Sequence, residues 1–429
     1  MNDQPRPRDI DPALLRGLTQ RRVSRRDLFR YAGAGAGAVG LTSFLAACGV
    51  SGTANPGPTG TGGSPTAVDF TKIYGDGTPA GTLNFANWED YIDVDAKNQS
   101  PSLKQFTKQF GIDVSYKTVI NSNEDFLAKI IPTIQAGQDT GYDLIVITNG
   151  GPVERMIRLG YLTPLDHQYL PNFDANADPQ VKALVYDPGN KYTTVWQSGF
   201  TGIGYNSKVI KEPPTTFNDL FNPAYKGKVG MFNNNQDLPC PALVSMGFDP
   251  NTATPDQWKQ ASEVVTKARD DGIIRAFYDQ SYINALENGD TVITQAWSGD
   301  IFIAQQSPEN GGDGFPEMKF VFPKEGPIYW HDNMCIPLYA QHPVDAITYM
   351  NYVYQPEVAA MMADFIWYVT PVPSAKDIVL NTLDDPAVAN SPLVFPTEQD
   401  LSAAKQYKVF KDTDEEDAWN AVWQPVYSS

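Results

Sequence analysis

From Leu83 onward, apolar positions switch back and forth between a strand rhythm and a helix rhythm. Leu83–Asn87 is a short apolar run that reads as a first strand. Ser102–Phe110 follows as a helix with Leu103, Phe106, Thr107 and Phe110 on one face. Ile112–Val119 reads as a second strand. Asn123-Glu124-Asp125-Phe126-Leu127 then opens a helix with Leu127, Ile130, Ile131 and Ile134 at helical spacing, acids in its first turn and Gly137 just past its end. Pro132 inside that pattern predicts a kink or a break. Asp143–Thr148 is a β-branched run of buried-strand type, and its polar turn feeds a helix around Val153–Leu159.

A second block begins near Thr193. Trp196–Asn206 mixes Gly with β-branched and aromatic residues and fits a strand crossing between two lobes. Val229–Phe232, a helix over Pro255–Asp271 and Thr291–Trp297 continue the rhythm. Helices follow over Val344–Tyr354 and Pro356–Phe365, with Pro356 where a first turn tolerates it. The last helix is expected from about Glu415 to Trp423, ahead of Pro425, and the acid run Asp412–Asp417 suits its amino end. Strands alternating with helices predict an α/β fold with a mostly parallel sheet, whose ligands collect at the strands' carboxyl ends.

The amino-terminal stretch has a different character. Ser24-Arg25-Arg26-Asp27-Leu28-Phe29-Arg30 is a twin-arginine pattern, followed by a short Gly/Ala-rich apolar segment ending in Leu45-Ala46-Ala47-Cys48. That ending resembles the bacterial lipobox, in which the cysteine is lipidated, so residues 1–48 read as an export signal and Cys48 as the lipid attachment. From Gly49 to about Asp69 the chain is Gly, Pro, Ser and Thr, a flexible tether assigned to residues 49–80. Gly35-Ala36-Gly37-Ala38-Val39-Gly40 matches a dinucleotide fingerprint, but no strand precedes it and it is rejected.

With 429 residues the chain suits two lobes. Hydrophobic content of 41% is globular, and no run of about twenty apolar residues marks a mature transmembrane helix. Net charge is −18, and because the first 30 residues hold eight Arg against four Asp, the rest carries −22. That acidity argues against a nucleic-acid partner.

Candidate chemistry centres on Trp88-Glu89-Asp90-Tyr91, directly after the first strand. Trp297-Ser298-Gly299-Asp300 and Trp330-His331-Asp332 repeat the aromatic-plus-acid theme. Rings offer a negative π face and carboxylates a countercharge, so together they suit an organic cation. Taken alone, each box also fits core aromatics flanked by surface acids.

The order Asn87-Trp88-Glu89-Asp90-Tyr91, Thr201-Gly202-Ile203-Gly204-Tyr205-Asn206, Trp297-Ser298-Gly299-Asp300 and Pro323-Lys324-Glu325-Gly326, behind a lipobox, resembles the spermidine/putrescine-binding proteins. These are extracytoplasmic receptors of polyamine ABC transporters, and the likeness runs from about Gly81 to the C-terminus. It implies a type II periplasmic-binding-protein fold, two α/β lobes joined by crossing strands around a ligand cleft. The lobes are assigned to 81–198 with 300–345, and to 199–299 with 346–429. The resemblance further implies Trp88, Asp90, Tyr91, Asp237, Trp297, Asp300, Trp330, Asp332 and Tyr368 as ligand-binding residues. It implies no cofactor, a polyamine ligand, the transmembrane subunits of an ABC permease as partner, and a monomer held at the extracytoplasmic membrane face by its lipid. Two departures stand out. Asn233-Asn234-Asn235-Gln236 is amide-rich where some members carry carboxylates. Thr148-Asn149-Gly150-Gly151 replaces a Ser- and aromatic-containing turn, which makes Thr148 and Asn149 poor carry-overs. Fewer acids fit a shorter diamine, a zwitterion or another amine-bearing solute.

A secreted carboxylate-dependent hydrolase is the reading from another class, since an acidic cleft offers the carboxylate pairs of a glycosidase. Against it, G-x-S-x-G, a Walker A loop and H-E-x-x-H are all missing, and His167, His331 and His342 are too scattered for a metal site. Cys240 and Cys335 fall in different assigned lobes, where a bond would hinder closure, so both are expected as buried free thiols.

Overall fold

The computed structural model describes residues 68–428 except 96 and 308–311. The twin-arginine signal, Cys48 and the tether as far as residue 67 lie outside the described residues. Nine strands form one sheet: β1 (Thr82–Trp88), β2 (Asp113–Ile120), β3 (Leu144–Thr148), β4 (Thr193–Asn206), β5 (Val229–Phe232), β6 (Ile274–Tyr278), β7 (Ile293–Trp297), β8 (Met318–Val321) and β9 (Ile328–Cys335). Their order is β2-β1-β3-β9-β4-β7-β5-β6, with β8 added beside β4.

The sheet is mixed rather than mostly parallel. Each end is a parallel triplet, β2-β1-β3 and β6-β5-β7. The middle is antiparallel, because β9 runs against β3 and β4, and β4 runs against β7 and β8. Alternation of strands with helices foretells parallel crossovers but is silent about strands that travel between the two triplets. β4 is the principal traveller. Its Thr193–Thr201 part pairs with β9 and its Thr201–Tyr205 part with β7. Every β4 residue before Asn206 is buried. Gly199 is required there by a close approach, since a Cβ would lie 2.4 Å from Trp330 Cζ2.

Helices cover the triplets as their apolar faces dictate. Pro101–Phe110, capped by Ser100, buries Phe106 against Tyr349 at 5.0 Å between ring centres. Asn123–Gln135 runs unbroken through Pro132, and the Pro132 carbonyl accepts the Ala136 N–H. The last helix also outruns its expected end, spanning Thr413–Ser428 through Pro425. Tertiary contacts hold that final turn: Trp423 is buried and Arg269 donates to the Val426 carbonyl at 2.8 Å.

Several segments sit differently from the sequence assignment. Phe70–Tyr74, inside the stretch assigned to the tether, is a helix whose Tyr74 is buried and donates to the Pro164 carbonyl. The helix Pro343–Tyr352 packs on β1, with Tyr349 5.2 Å from Phe85 and the Asp345 carboxylate accepting from Ala80, Gly81 and Thr82 N–H. The chain thus leaves β9 and folds straight back over the triplet it has just paired with. β8, in turn, pairs with the far end of β4, where β7 also pairs. Cys240 and Cys335 are buried and unpaired, as expected. Among the described residues, no helix is long and apolar enough to cross a membrane, and no group of metal-binding side chains gathers.

Candidate functional site

The carboxyl ends of β1, β3, β5 and β7 converge where the two triplets meet, and β9 passes between them. Register sets Asp332 of β9 opposite Thr148 at the end of β3. The Asp332 side chain is 6% exposed and accepts from Thr148 Oγ1 at 2.6 Å and from the Tyr91 hydroxyl at 2.6 Å. Burial pushes its carboxyl up to about 6, against the pull of those two hydrogen bonds. Burial, then the Asp332 charge, holds the Tyr91 hydroxyl protonated, so it remains a donor.

From Tyr91 the contacts run on without a gap. Its ring meets Tyr368 edge-on at 5.6 Å, and Tyr368 in turn lies 5.8 Å from Trp330. The Tyr368 hydroxyl donates to Asp300 Oδ1 at 2.5 Å, and the Tyr282 hydroxyl to Asp300 Oδ2 at 3.0 Å. Gly299 permits this packing, because a Cβ there would stand 2.2 Å from the Tyr368 ring. The Trp297 backbone N–H donates to the Tyr282 hydroxyl, and its indole stacks on Phe232 at 4.4 Å and 20°.

The indole Nε1 of Trp297 reaches Asp237 Oδ2 at 3.4 Å. Asp237 is 4% exposed and also accepts from Thr201 Oγ1 at 2.6 Å, Tyr407 at 2.5 Å and Asn234 Nδ2 at 3.2 Å. Burial raises this carboxyl above its ordinary range even so. Neither Asp237 nor Asp332 has an ion-pair partner among the described residues, an expensive arrangement for buried carboxylates unless a cation joins them.

Seven of the nine residues singled out from sequence are therefore brought together: Tyr91, Asp237, Trp297, Asp300, Trp330, Asp332 and Tyr368. Trp88 and Asp90 are not joined to them by these contacts. Trp88 is half-buried at the end of β1, its Nε1 donating to the Val146 carbonyl at 3.1 Å. Asp90 occupies the following turn with a left-handed φ of 53°. His331, between Trp330 and Asp332, is buried against Ser198 Oγ at 2.7 Å, and burial pushes its imidazole down to about 3, leaving a neutral structural ring.

Four partners escaped the sequence reading. Thr148 lies in a turn that departs from the family pattern, yet it holds Asp332. Thr201, Tyr282 and Tyr407 come from elements far apart in the chain, and only the fold aims them at Asp237 and Asp300. Thr201 lay inside a motif already noted, the one signal available.

Comparison with known proteins agrees with this architecture. The pattern of the bacterial extracellular solute-binding proteins matches residues 102–397. The spermidine/putrescine-binding periplasmic protein of Salmonella typhimurium is 32% identical over 322 residues, 75% of this chain and 85% of that protein. The putrescine-binding periplasmic protein PotF of Escherichia coli is 31% identical over 312 residues, 70% and 80% of the two chains. Among solved structures, the spermidine/putrescine transporter substrate-binding protein PotD from Streptococcus pneumoniae superposes with a TM-score of 0.66 at 24% identity, covering 81% of this chain and 98% of that one. These relatives are binding proteins of transport systems, not enzymes, which removes the hydrolase reading. The chain belongs to the bacterial extracellular solute-binding protein family, and its relatives include periplasmic proteins named for binding spermidine and putrescine.

Proposed function

We propose that this protein is the lipid-anchored receptor of an ABC importer, and that Tyr91, Asp237, Trp297, Asp300, Trp330, Asp332 and Tyr368 take a small polyamine, putrescine or spermidine, between two lobes and present it to the permease. Trp88 and Asp90 close the β1 end of the same cleft. The observation that carries the reading is the pair of buried carboxylates, Asp237 and Asp332, without cationic partners among the described residues and walled by aromatic rings. A polyamine supplies what such a site lacks, namely cationic ends to meet the acids and methylenes to lie against the rings. Each desolvated cation–π contact contributes about 0.5–2 kcal/mol. Several of them with charged hydrogen bonds reach about 8 kcal/mol net, a micromolar affinity.

The names of the relatives support the ligand class, and the Cys48 lipobox with its Gly/Pro-rich tether supports attachment to the extracytoplasmic membrane face. Ligand drives closure on this reading by shifting a ligand-free mixture of open and closed forms towards the closed one, with β4 and β9 as the crossing strands and each triplet moving as part of one lobe. Thermal unfolding with millimolar putrescine, spermidine or spermine tests the proposal. A concentration-dependent rise in Tm with an amine, absent with a neutral sugar, is expected. No rise with any amine would overturn it.

A further inference from the structure

The last helix, beyond the residues matched by the family pattern, contributes one acid to a second charged cluster outside the ligand site. Glu416 is 3% exposed. Its Oε1 accepts from Arg155 Nε at 2.9 Å and Nη2 at 2.5 Å, and its Oε2 accepts from Arg158 Nη2. Arg155 and Arg158 lie on the helix Pro152–Arg158, directly after β3 and the Thr148–Gly151 turn. Arg155 is anchored there independently, because Nη1 and Nη2 also fork onto Glu124 at 2.7 and 3.0 Å. Glu416 belongs to the other side, since its helix packs Trp419 on Trp258 at 5.2 Å and binds Arg269 through Val426. The ion pairs thus join the helices over β2-β1-β3 to those over β6-β5-β7.

One smaller contact crosses nearby, Gln236 Nε2 donating to the Asn149 carbonyl at 2.6 Å, while Trp419 Nε1 donates to the Asn235 carbonyl at 2.8 Å within Glu416's own side. The crossing contact joins the chain neighbours of Thr148 and Asp237, the residues at either end of the ligand network. Arg158 Nε and Nη1 are buried with no hydrogen-bond partner among the described residues, so this guanidinium depends on Glu416 for its countercharge.

We infer that Glu416 is a positioning residue for ligand capture: its pairs with Arg155 and Arg158 latch the two lobes in the conformation that assembles the site, and they part when the lobes separate. Glu416 touches no ligand. It acts by stabilising the closed form against opening, so bound amine escapes more slowly and apparent affinity rises with the closed population. The inference rests on the two-lobe receptor reading, but the ligand-free arm of its test does not depend on which solute binds.

The test compares full-length wild type with Glu416→Gln, Arg158→Gln and the double variant, using stopped-flow amine binding and small-angle X-ray scattering of the ligand-free proteins. Glu416→Gln should release putrescine or spermidine at least tenfold faster with little change in association rate. It should also enlarge the ligand-free radius of gyration. The double variant should lose no more than Glu416→Gln alone, because the pair acts as a unit. Wild-type release rates and an unchanged scattering curve, with only Tm lowered, would overturn the latch and leave the cluster as a fold element. If wild type binds no amine, the polyamine reading falls, and the ligand-free scattering alone decides the latch: a larger radius in Glu416→Gln supports it, an identical curve refutes it.

Discussion

Replacing Asp332 by Asn should move stability and affinity in opposite directions. The wild-type carboxyl is raised from 3.8 to about 6 by burial, which corresponds to about 3 kcal/mol of unfavourable energy in the ligand-free fold at neutral pH. The sign follows from linkage. A folded-state value above the unfolded one means the native state holds the proton more tightly, so this group's support is complete below pH 3.8 and lost as pH rises through about 6. Asparagine keeps the shape and an acceptor for Tyr91 or Thr148 without the buried charge, and the ligand-free variant should melt at a higher temperature at pH 7.5.

Ligand binding runs the other way. A bound ammonium stabilises the ionised carboxylate, and a hydrogen bond to a charged group contributes about 1.5–3 kcal/mol. Its loss weakens binding about tenfold to a hundredfold. Wild-type affinity should also decline as pH falls from 7.5 to 5 while the variant's changes less. Calorimetric titration and thermal melts of both proteins across that range provide the check. A variant with wild-type affinity and a lower Tm at pH 7.5 would refute the reasoning, because Asp332 would then be a structural acid content with its own partners.

Three further outcomes follow. Trp297→Ala removes both the Phe232 stack and the donor to Asp237, and titration should show affinity weakened by roughly tenfold, about 1.4 kcal/mol. Gly299→Ala drives a methyl into the Tyr368 ring and pulls its hydroxyl off Asp300, so melts should show about 1–3 kcal/mol of lost stability, with weaker amine binding; wild-type values in both assays would contradict the packing described. Cys48→Ser should move the protein from the membrane fraction to the soluble extracytoplasmic fraction on cell fractionation, and unaltered partitioning would argue against lipid attachment.

The sequence displays best what is local. Leu83–Asn87 announces β1, Val229–Phe232 is read to its exact residues as β5, and the aromatic-acid boxes hold five of the seven residues that assemble, Asp237 and Tyr368 coming from the family resemblance alone. What it hides is what neighbours decide. Ile328–Cys335 has no alternation because β9 is buried on both faces, so the strand carrying Trp330 and Asp332 gives no period to read. Thr148, Tyr282 and Tyr407 become site partners only through pairings 184, 18 and 170 residues away. The acid run at 412–417 is legible as a helix amino end, yet nothing local marks Glu416 as the member buried against two arginines 261 and 258 positions earlier.

The most direct measurement is isothermal titration of the purified protein with putrescine, spermidine and spermine, with a neutral sugar and an amino acid as controls. Saturable binding of one or more amines near micromolar affinity, with both controls silent, is the predicted result. Binding of a control with every amine silent would contradict the polyamine assignment while leaving the two-lobe receptor in place.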